Sequence, residues 1–178
     1  ERIPLWIFDA KAPVDCTPLV RGDIAYFGTR GGRIFCVELT TGKERWSYDV
    51  PNGWDVASGL RIVGDRLCFG TFEGTFHFID AASGLPIQRI VPYSPPRQIR
   101  HAASEPTDAG ILAVNCGGVA VVGIHAAAGT VLWIFRSEVD ILGSPERHAV
   151  GFVCPTGDGT VYVLQPATGA ISTRIPLG

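Results

Sequence analysis

The sequence predicts an all-β fold composed of four-stranded antiparallel sheets that repeat along the chain. Short runs rich in β-branched and aromatic residues, such as residues 24–27 and 76–79, are separated by breaks that contain glycine. No segment shows the periodicity of an amphipathic helix. The 178 residues are 46% hydrophobic, which is enough apolar material for a buried core.

An internal repeat divides the chain into units. The segments 28–46, 70–88, 114–133 and 155–174 align with one another. Each segment carries a turn glycine, and these glycines follow one another at intervals of 42, 45 and 40 residues: Gly42, Gly84, Gly129 and Gly169. Such an interval matches one four-stranded blade of a β-propeller. The sequence therefore predicts one propeller domain over residues 1–178, with blades at 14–50, 55–92, 101–137 and 141–178.

Each unit carries the signals of four strands. A second glycine precedes the turn glycine by ten or eleven residues with an apolar run between them, at Gly32, Gly74, Gly118 and Gly159. Many runs are apolar on both faces, as expected for a sheet packed between two others. Small residues precede each unit and suit an innermost strand at the crowded propeller axis, at 15–18, 56–59, 102–105 and 142–145. In the first unit the four strands are then predicted at 14–20, 23–29, 33–39 and 43–50.

The first unit resembles a known family of propeller repeats. Phe35-Cys36-Val37-Glu38, followed by Gly42-Lys43-Glu44-Arg45-Trp46, is similar to the Y-A-L-D-x-x-T-G-x-x-x-W signature of pyrroloquinoline quinone (PQQ)-type repeats. The resemblance covers nearly the whole chain. It implies that the Trp docks on the turn of the neighbouring blade and that the acidic residue fixes its own turn. The acidic position holds Glu38, Asp80, His125 and Gln165, and the Trp position holds Trp46, Gln88, Trp133 and Thr173.

A further Trp lies ahead of the first blade. Pro4-Leu5-Trp6-Ile7-Phe8 is similar to the segment that follows Gly129, so residues 1–10 are predicted to form an outer strand of a preceding blade. Five outer strands for four blades indicate an open arc, part of a seven- or eight-bladed ring. The remaining blades, or a second copy of the chain, would then complete the ring. A four-bladed ring closed by its first and last blades is the competing arrangement.

Composition and charge limit the classes of partner that the chain can bind. Lys and Arg total 15 and Asp and Glu total 17, so the net charge of −2 provides no general attraction to nucleic acid. No apolar run approaches the roughly 20 residues of a membrane-spanning helix. The cysteines are widely separated, which favours buried thiols in a reducing, cytoplasmic compartment, with a periplasmic or extracellular location as the alternative: Cys16, Cys36, Cys68, Cys116 and Cys154. No metal-ligand spacing is present in the sequence.

The resemblance raises the question of a quinone cofactor. Quinoprotein dehydrogenases hold PQQ and calcium on the propeller axis with a stacking Trp, carboxylate ligands and often a disulfide between adjacent cysteines. Trp54 and Asp55 are the only fragment of such a site here, and no Cys-Cys pair exists. A packed loop with a turn carboxylate is the simpler interpretation of these two residues. The expectation is therefore no cofactor, with a fragment of a PQQ-dependent dehydrogenase as the alternative.

The predicted function is that of a non-catalytic binding, scaffolding or sensory module of a larger protein. Residues 95–101 form a basic connector between the second and third blades, and an arginine pair can clamp a carboxylate or phosphate. A solvated or internally paired loop is the simpler alternative. We expect a protein partner to contact the loops at the axis end, where the candidate residues are Asp15, Arg30, Glu73, Arg97, Arg100, His101, Asp140 and Asp158.

Overall fold

A computed structural model describes residues 5–56 and 58–177. These residues form an all-β structure, which confirms the predicted fold class. The strands are β1 (Leu19–Arg21), β2 (Ile24–Gly28), β3 (Arg33–Glu38), β4 (Glu44–Asp49), β5 (Arg61–Val63), β6 (Arg66–Gly70), β7 (Phe76–Asp80), β8 (Pro86–Ile90), β9 (Ile111–Cys116), β10 (Ala120–His125), β11 (Thr130–Arg136), β12 (Glu146–His148), β13 (Gly151–Pro155), β14 (Thr160–Leu164) and β15 (Ile171–Pro176).

The strands form four antiparallel meanders, one for each predicted unit. The sheet orders are β1-β2-β3-β4, β5-β6-β7-β8, β9-β10-β11 and β12-β13-β14-β15. The second and third strands of each unit are mostly buried, whereas the outer strand is largely exposed. In the first unit, β3 and β4 show this contrast. Within the described residues, no helix is long and apolar enough to cross a membrane.

The inner strands differ from the prediction. They begin after the small-residue clusters, because side chains of those clusters already bond to the second strand. Cys16 Sγ accepts the Gly28 N–H at 2.9 Å, and Ser58 Oγ accepts the Gly70 N–H at 2.9 Å. The regular ladder therefore forms only at β1 and β5, further along the chain.

In the third unit the inner strand is absent from the described residues. Its segment bonds to β9 at Ser104 and Thr107, whose N–H groups donate to Ala113 O and Ile111 O. Their hydroxyl oxygens accept the Ala113 N–H at 2.9 Å and the Ile111 N–H at 3.1 Å. Pro106, between these two residues, has no N–H to contribute to a ladder. The third sheet consequently has three strands instead of the predicted four.

Hydrophobic contacts join consecutive sheets. One cluster lies between the first and second sheets, a second between the second and third, and the last between the third and fourth. In the described part of the chain, none of these clusters joins the fourth sheet to the first. Residues from the segments that precede each of the four sheets line one cavity, namely Thr17, Leu60, Ala102 and Ser144. The sheets therefore surround a common axis.

A tryptophan from each odd-numbered sheet fixes the next sheet in place. Trp46 covers Gly84, where an added Cβ would lie 2.6 Å from the ring, and its Nε1 donates to Ala81 O at 3.2 Å. Trp133 covers Gly169 in the same way and donates to Pro166 O at 2.7 Å. Gly169 has a φ of 69°, so both the backbone conformation and the overlying ring require glycine.

At the Trp position of the second sheet, Gln88 lacks the ring but keeps the docking contact. The Gln88 carboxamide lies against Gly129, and its Nε2 donates to Gly129 O at 3.0 Å. A planar amide thus replaces the indole as both the cover and the donor. At the equivalent place in the fourth sheet, Thr173 is exposed on β15.

The turns are also fixed by a common device. The residue four positions before each turn glycine accepts a hydrogen bond from the residue three positions after itself. Glu38 accepts from the Thr41 hydroxyl at 2.9 Å, and Asp80 accepts from the Ser83 N–H at 2.7 Å. The bond from the Thr41 hydroxyl lowers the pKa of Glu38. Bonds from the Ser83 hydroxyl and, secondarily, from the Ser83 N–H lower the pKa of Asp80. His125 and Gln165, which depart from the acidic pattern, accept equivalent bonds from Ala128 and Thr168.

Residues ahead of the first sheet occupy the place of a preceding outer strand. Residues 1–4 of the predicted strand lie outside the described residues, and residues 5–10 are irregular. Even so, Trp6 covers Gly42 and donates from Nε1 to Leu39 O at 2.6 Å, as Trp46 and Trp133 do one sheet further on. Phe8 packs edge-on against Phe35, with ring centroids 5.1 Å apart.

Candidate functional site

The loops that join one sheet to the next lie at one end of the sheets. Because the strands are antiparallel, these connectors reach the same end as the hairpins between the second and third strands of each sheet. We call the connectors and hairpins together the axis-end surface. Every candidate residue from the sequence lies on it: Asp15, Arg30, Trp54, Asp55, Glu73, Arg97, Arg100, His101, Asp140 and Asp158.

Each connector is wedged between the hairpins of two sheets. The Ile99 side chain is fully buried, and its N–H donates to Thr71 O of the preceding sheet at 3.0 Å. The neighbouring Gln98 O accepts the Gly117 N–H of the following sheet at 2.9 Å. Val56 and Ile141 are buried in the same role in the other two connectors. The axis-end surface is therefore anchored at regular intervals.

The Trp54–Asp55 pair belongs to this anchoring. Asp55 Oδ1 accepts the Gly31 N–H at 2.9 Å, and its carbonyl oxygen accepts the Phe72 N–H at 3.2 Å. Trp54 is 43% exposed. The carboxylate thus bonds to a hairpin of its own fold, as the turn-carboxylate alternative expects.

Two further acidic candidates also bond to residues of the loops. Asp15 forms an ion pair with Arg30. This pair links the first hairpin to the segment ahead of β1. Asp158 Oδ1 accepts the Thr156 hydroxyl at 2.7 Å and the Thr160 N–H at 3.0 Å. The hydroxyl bond, the larger influence, and the backbone bond lower the pKa of Asp158.

Glu73 and Arg97 lie where the second and third sheets meet. Glu73 Oε2 is buried without a hydrogen-bond partner among the described residues. The Arg97 backbone passes so close to Gly74 that a Cβ added at Gly74 would lie 2.6 Å from the Arg97 carbonyl oxygen. The Arg97 stem lies against Gly117 on the other side. Gly74 is consequently required for the connector to pass.

Arg100, His101 and Asp140 converge on a single open cavity of about 340 Å³. Arg100 and His101 also line an adjoining cavity of about 320 Å³, which Asp15 reaches from the first sheet. The Arg100 guanidinium lies over the Phe72 ring at 5.1 Å, and its Nε donates to Gln98 Oε1 at 2.8 Å. This cavity pair is the candidate binding site. Arg30, Trp54, Glu73 and Asp158 do not line it.

The basic groups of the connector are not internally paired. In the described part of the chain, no carboxylate oxygen lies within 4.0 Å of a side-chain nitrogen of Arg97, Arg100 or His101. The described residues also contain no group of three or more His, Cys, Asp and Glu side chains that could hold a metal ion. The side chains of Arg100, His101 and Asp140 can form hydrogen bonds with a ligand in the cavity.

Sequence reasoning did not identify the residues that orient Arg100. Phe72 lies on a hairpin of the second sheet, and Gln98 is two residues before Arg100 in the connector. The proximity of Gln98 in sequence is a weak signal. No sequence signal connects Phe72 to Arg100, since their contact depends on how the connector crosses the sheet.

Repeated sheets around an axis and tryptophans that dock on turn glycines define a β-propeller of PQQ-like repeats. The family model described as outer membrane protein assembly factor BamB matches residues 5–104, more than half of the chain. The chain belongs to this family.

Individual proteins agree with this assignment. The outer membrane protein assembly factor BamB of Nitrosomonas eutropha is 26% identical over 140 residues, which cover 75% of this chain and 31% of that protein. The dehydrogenase subunit of the quinone alcohol dehydrogenase of Gluconobacter oxydans is 27% identical over 109 residues, covering 56% of this chain and 14% of that protein. This chain thus spans about a third or less of these curated relatives.

A solved structure shows the same fold. The crystal structure of BamB from Moraxella catarrhalis superposes with a TM-score of 0.76 at 19% identity, and the alignment covers 96% of this chain and 51% of that one. At this identity the likeness shows the fold alone. It confirms the β-propeller architecture predicted from the glycine spacing.

Proposed function

We propose that this chain is a non-catalytic protein-binding segment of a larger propeller that acts in outer membrane protein assembly. The observation that carries the proposal is the axis-end surface, where anchored loops present Arg100, His101 and Asp140 around an open cavity without pairing the basic groups. Rigid loops lose little entropy on binding a partner. The relatives named as assembly factors support protein binding over catalysis.

The proposed location is the periplasm. The names of the relatives refer to the outer membrane, which favours the alternative location over the cytoplasm. The cysteines do not oppose this location, because all five are buried and free. Burial raises the pKa of Cys36 to about 11 and that of Cys68, Cys116 and Cys154 to about 12, and a protonated, buried thiol reacts slowly with oxidants.

The outward face of the fourth sheet is apolar and partly exposed. The outward face of the fourth sheet carries Val153, Val161 and Ile175, and Ile175 is 44% exposed. A second copy would bring its Trp6 segment to the outer edge of this sheet, where β15 already lies. The two cannot occupy one place. We therefore propose additional sheets of a longer chain, in preference to a second copy, as the cover.

Photo-crosslinking tests the proposed function. A photoreactive amino acid at Asp158, on the axis-end surface, is expected to crosslink to an unfolded outer membrane β-barrel protein diluted from urea. The same amino acid at Lys43, exposed at the opposite end of the first sheet, is the matched control. Crosslinks from Asp158 alone support the proposal. Equal crosslinking at both positions, or none, contradicts it.

The second candidate function is that of a quinone-dependent dehydrogenase fragment, which the similarity to the Gluconobacter oxydans subunit favours. We expect no saturable binding of PQQ, with or without calcium, because Asp55 is bonded to Gly31 and no paired cysteines adjoin it. A spectral titration of the full chain measures this. Saturable binding at micromolar PQQ that is lost in Trp54→Ala would instead establish the dehydrogenase alternative.

A further inference from the structure

Arg100 is held in one orientation before any partner binds. Its guanidinium lies over the Phe72 ring at 5.1 Å, and its Nε is bonded to Gln98 Oε1 at 2.8 Å. The connector that carries Arg100 is anchored immediately before it by the buried Ile99. An exposed arginine normally loses side-chain entropy on pairing, and this arrangement removes part of that cost.

The terminal end of the Arg100 guanidinium is unpaired within the described residues. Its two terminal nitrogens have no hydrogen-bond partner within residues 5–56 and 58–177. Two parallel N–H groups at the edge of a guanidinium match the two oxygens of a carboxylate. His101, the next residue, lines the same two cavities and adds a further potential donor.

The opposite wall limits what the cavity can accept. Asp140 lines it, so a polyanion or an anionic membrane surface would bring further negative charge against this carboxylate. Ile141 and Leu142 contribute apolar surface beside it. A ligand with one acidic side chain, flanked by an apolar and a basic residue, would complement the basic, apolar and acidic parts of the cavity lining.

We propose that Arg100, with His101, binds an acidic side chain in an extended segment of a partner protein, whose neighbouring basic residue faces Asp140. The inference rests on the proposed function, because it names the chemistry of the protein segment bound at the axis-end surface. Phe72 and Gln98 are positioning residues for Arg100.

An NMR titration tests the site. The ¹⁵N-labelled full chain is titrated with the peptide acetyl-Gly-Leu-Asp-Leu-Lys-Gly-amide and with the same peptide carrying Asn in place of Asp. The Asp peptide is expected to shift the amide signals of residues 98–101 and 140–142. The Asn peptide and the variant Arg100→Ala are each expected to raise the Kd at least about tenfold, since a charge-assisted pair is lost.

Two further variants separate charge from geometry. Arg100→Lys keeps the charge but not the bidentate edge, so an intermediate Kd is expected. Arg174→Ala is the matched control, because Arg174 also lies over an aromatic ring, that of Tyr162 at 5.6 Å, away from the cavity. This control is expected to bind as the unchanged chain does. The amide spectrum of each variant reports directly on whether it is folded.

Each other outcome overturns the proposal. It is wrong if the Asp peptide does not bind, if Arg100→Ala binds it unchanged, or if the Asn peptide binds equally well. It is also wrong if vesicles containing anionic phospholipid bind through Arg100 and the peptide does not. If Asp158 still crosslinks to unfolded protein in any of these cases, the proposed function stands and only the carboxylate site fails.

Discussion

Trp133→Ala is expected to lower the free energy of unfolding by about 3–5 kcal/mol, the range for truncating a buried large aromatic side chain. Trp133 is 7% exposed, covers Gly169 and packs at 6.1 Å from the Phe152 ring. Its loss removes this apolar contact and the hydrogen bond to Pro166 O between the third and fourth sheets. Trp46→Ala is expected to have an effect in the same range. Denaturant unfolding of the full chain measures both.

Thr173→Ala provides the matched control for these substitutions. Thr173 occupies the same register position in the fourth sheet as Trp133 does in the third, but it is exposed. Its substitution is expected to change the stability by less than about 0.5 kcal/mol. If Trp133→Ala costs less than about 1 kcal/mol, the tryptophans do not fasten one sheet to the next.

Acidification from pH 6.5 to pH 4 is expected to destabilise the fold by about 3 kcal/mol through His77 alone. His77 is 2% exposed, stacks on Phe69 at 5.0 Å and bonds through Nε2 to Thr75 Oγ1 at 2.9 Å. Burial, and secondarily the charge of Arg89, lowers the pKa of His77 from 6.5 to about 4.

The direction of the pH effect follows from this lowered pKa. Between pH 6.5 and pH 4 the unfolded chain protonates at His77 and the folded chain does not, so protons favour unfolding. The stability is complete above pH 6.5 and is lost as the pH falls towards 4. In His77→Phe the difference in unfolding free energy between pH 7 and pH 4 should shrink by this amount. An unchanged difference in His77→Phe would contradict the buried neutral imidazole.

Much of the fold could be predicted from the sequence because the repeat encodes local backbone needs. Gly42 and its equivalents lie at turns with positive φ, and the following Trp docks on the next turn. Sequence alone placed the inner strands too early. Cys16 and Ser58 are small residues, but their side chains accept hydrogen bonds from the second strand of their sheets. Composition cannot distinguish this role from a crowded strand.

The candidate site was only partly predictable. The basic connector was visible in the sequence, and the structure brings Arg100 and His101 together with Asp140 of the following connector. Arg97 instead lies against Gly74 and Gly117. The orientation of Arg100 over Phe72 depends on contacts between residues far apart in the chain, which no local pattern records.

We propose that the four sheets form an open arc, and this arrangement connects the fold with the proposed function. Trp6 docks on the first sheet as though a sheet preceded it, and β15 completes the fourth sheet without any contribution from the Trp6 segment. A closed four-bladed ring would instead need an apolar cluster between the fourth and first sheets. The axis-end surface of this chain would then be one part of a longer ring of loops.

Pulsed electron resonance between spin labels tests this arc most directly. Labels are attached at Lys43→Cys with Leu85→Cys, on the turns of the first and second sheets, and at Lys43→Cys with Ala170→Cys, on the turns of the first and fourth. All three positions are exposed, and the raised pKa and burial of native thiols such as Cys68 limit their labelling. The arc predicts that the second pair is clearly further apart than the first. Equal distances in the two pairs would show a closed four-bladed ring and contradict the account.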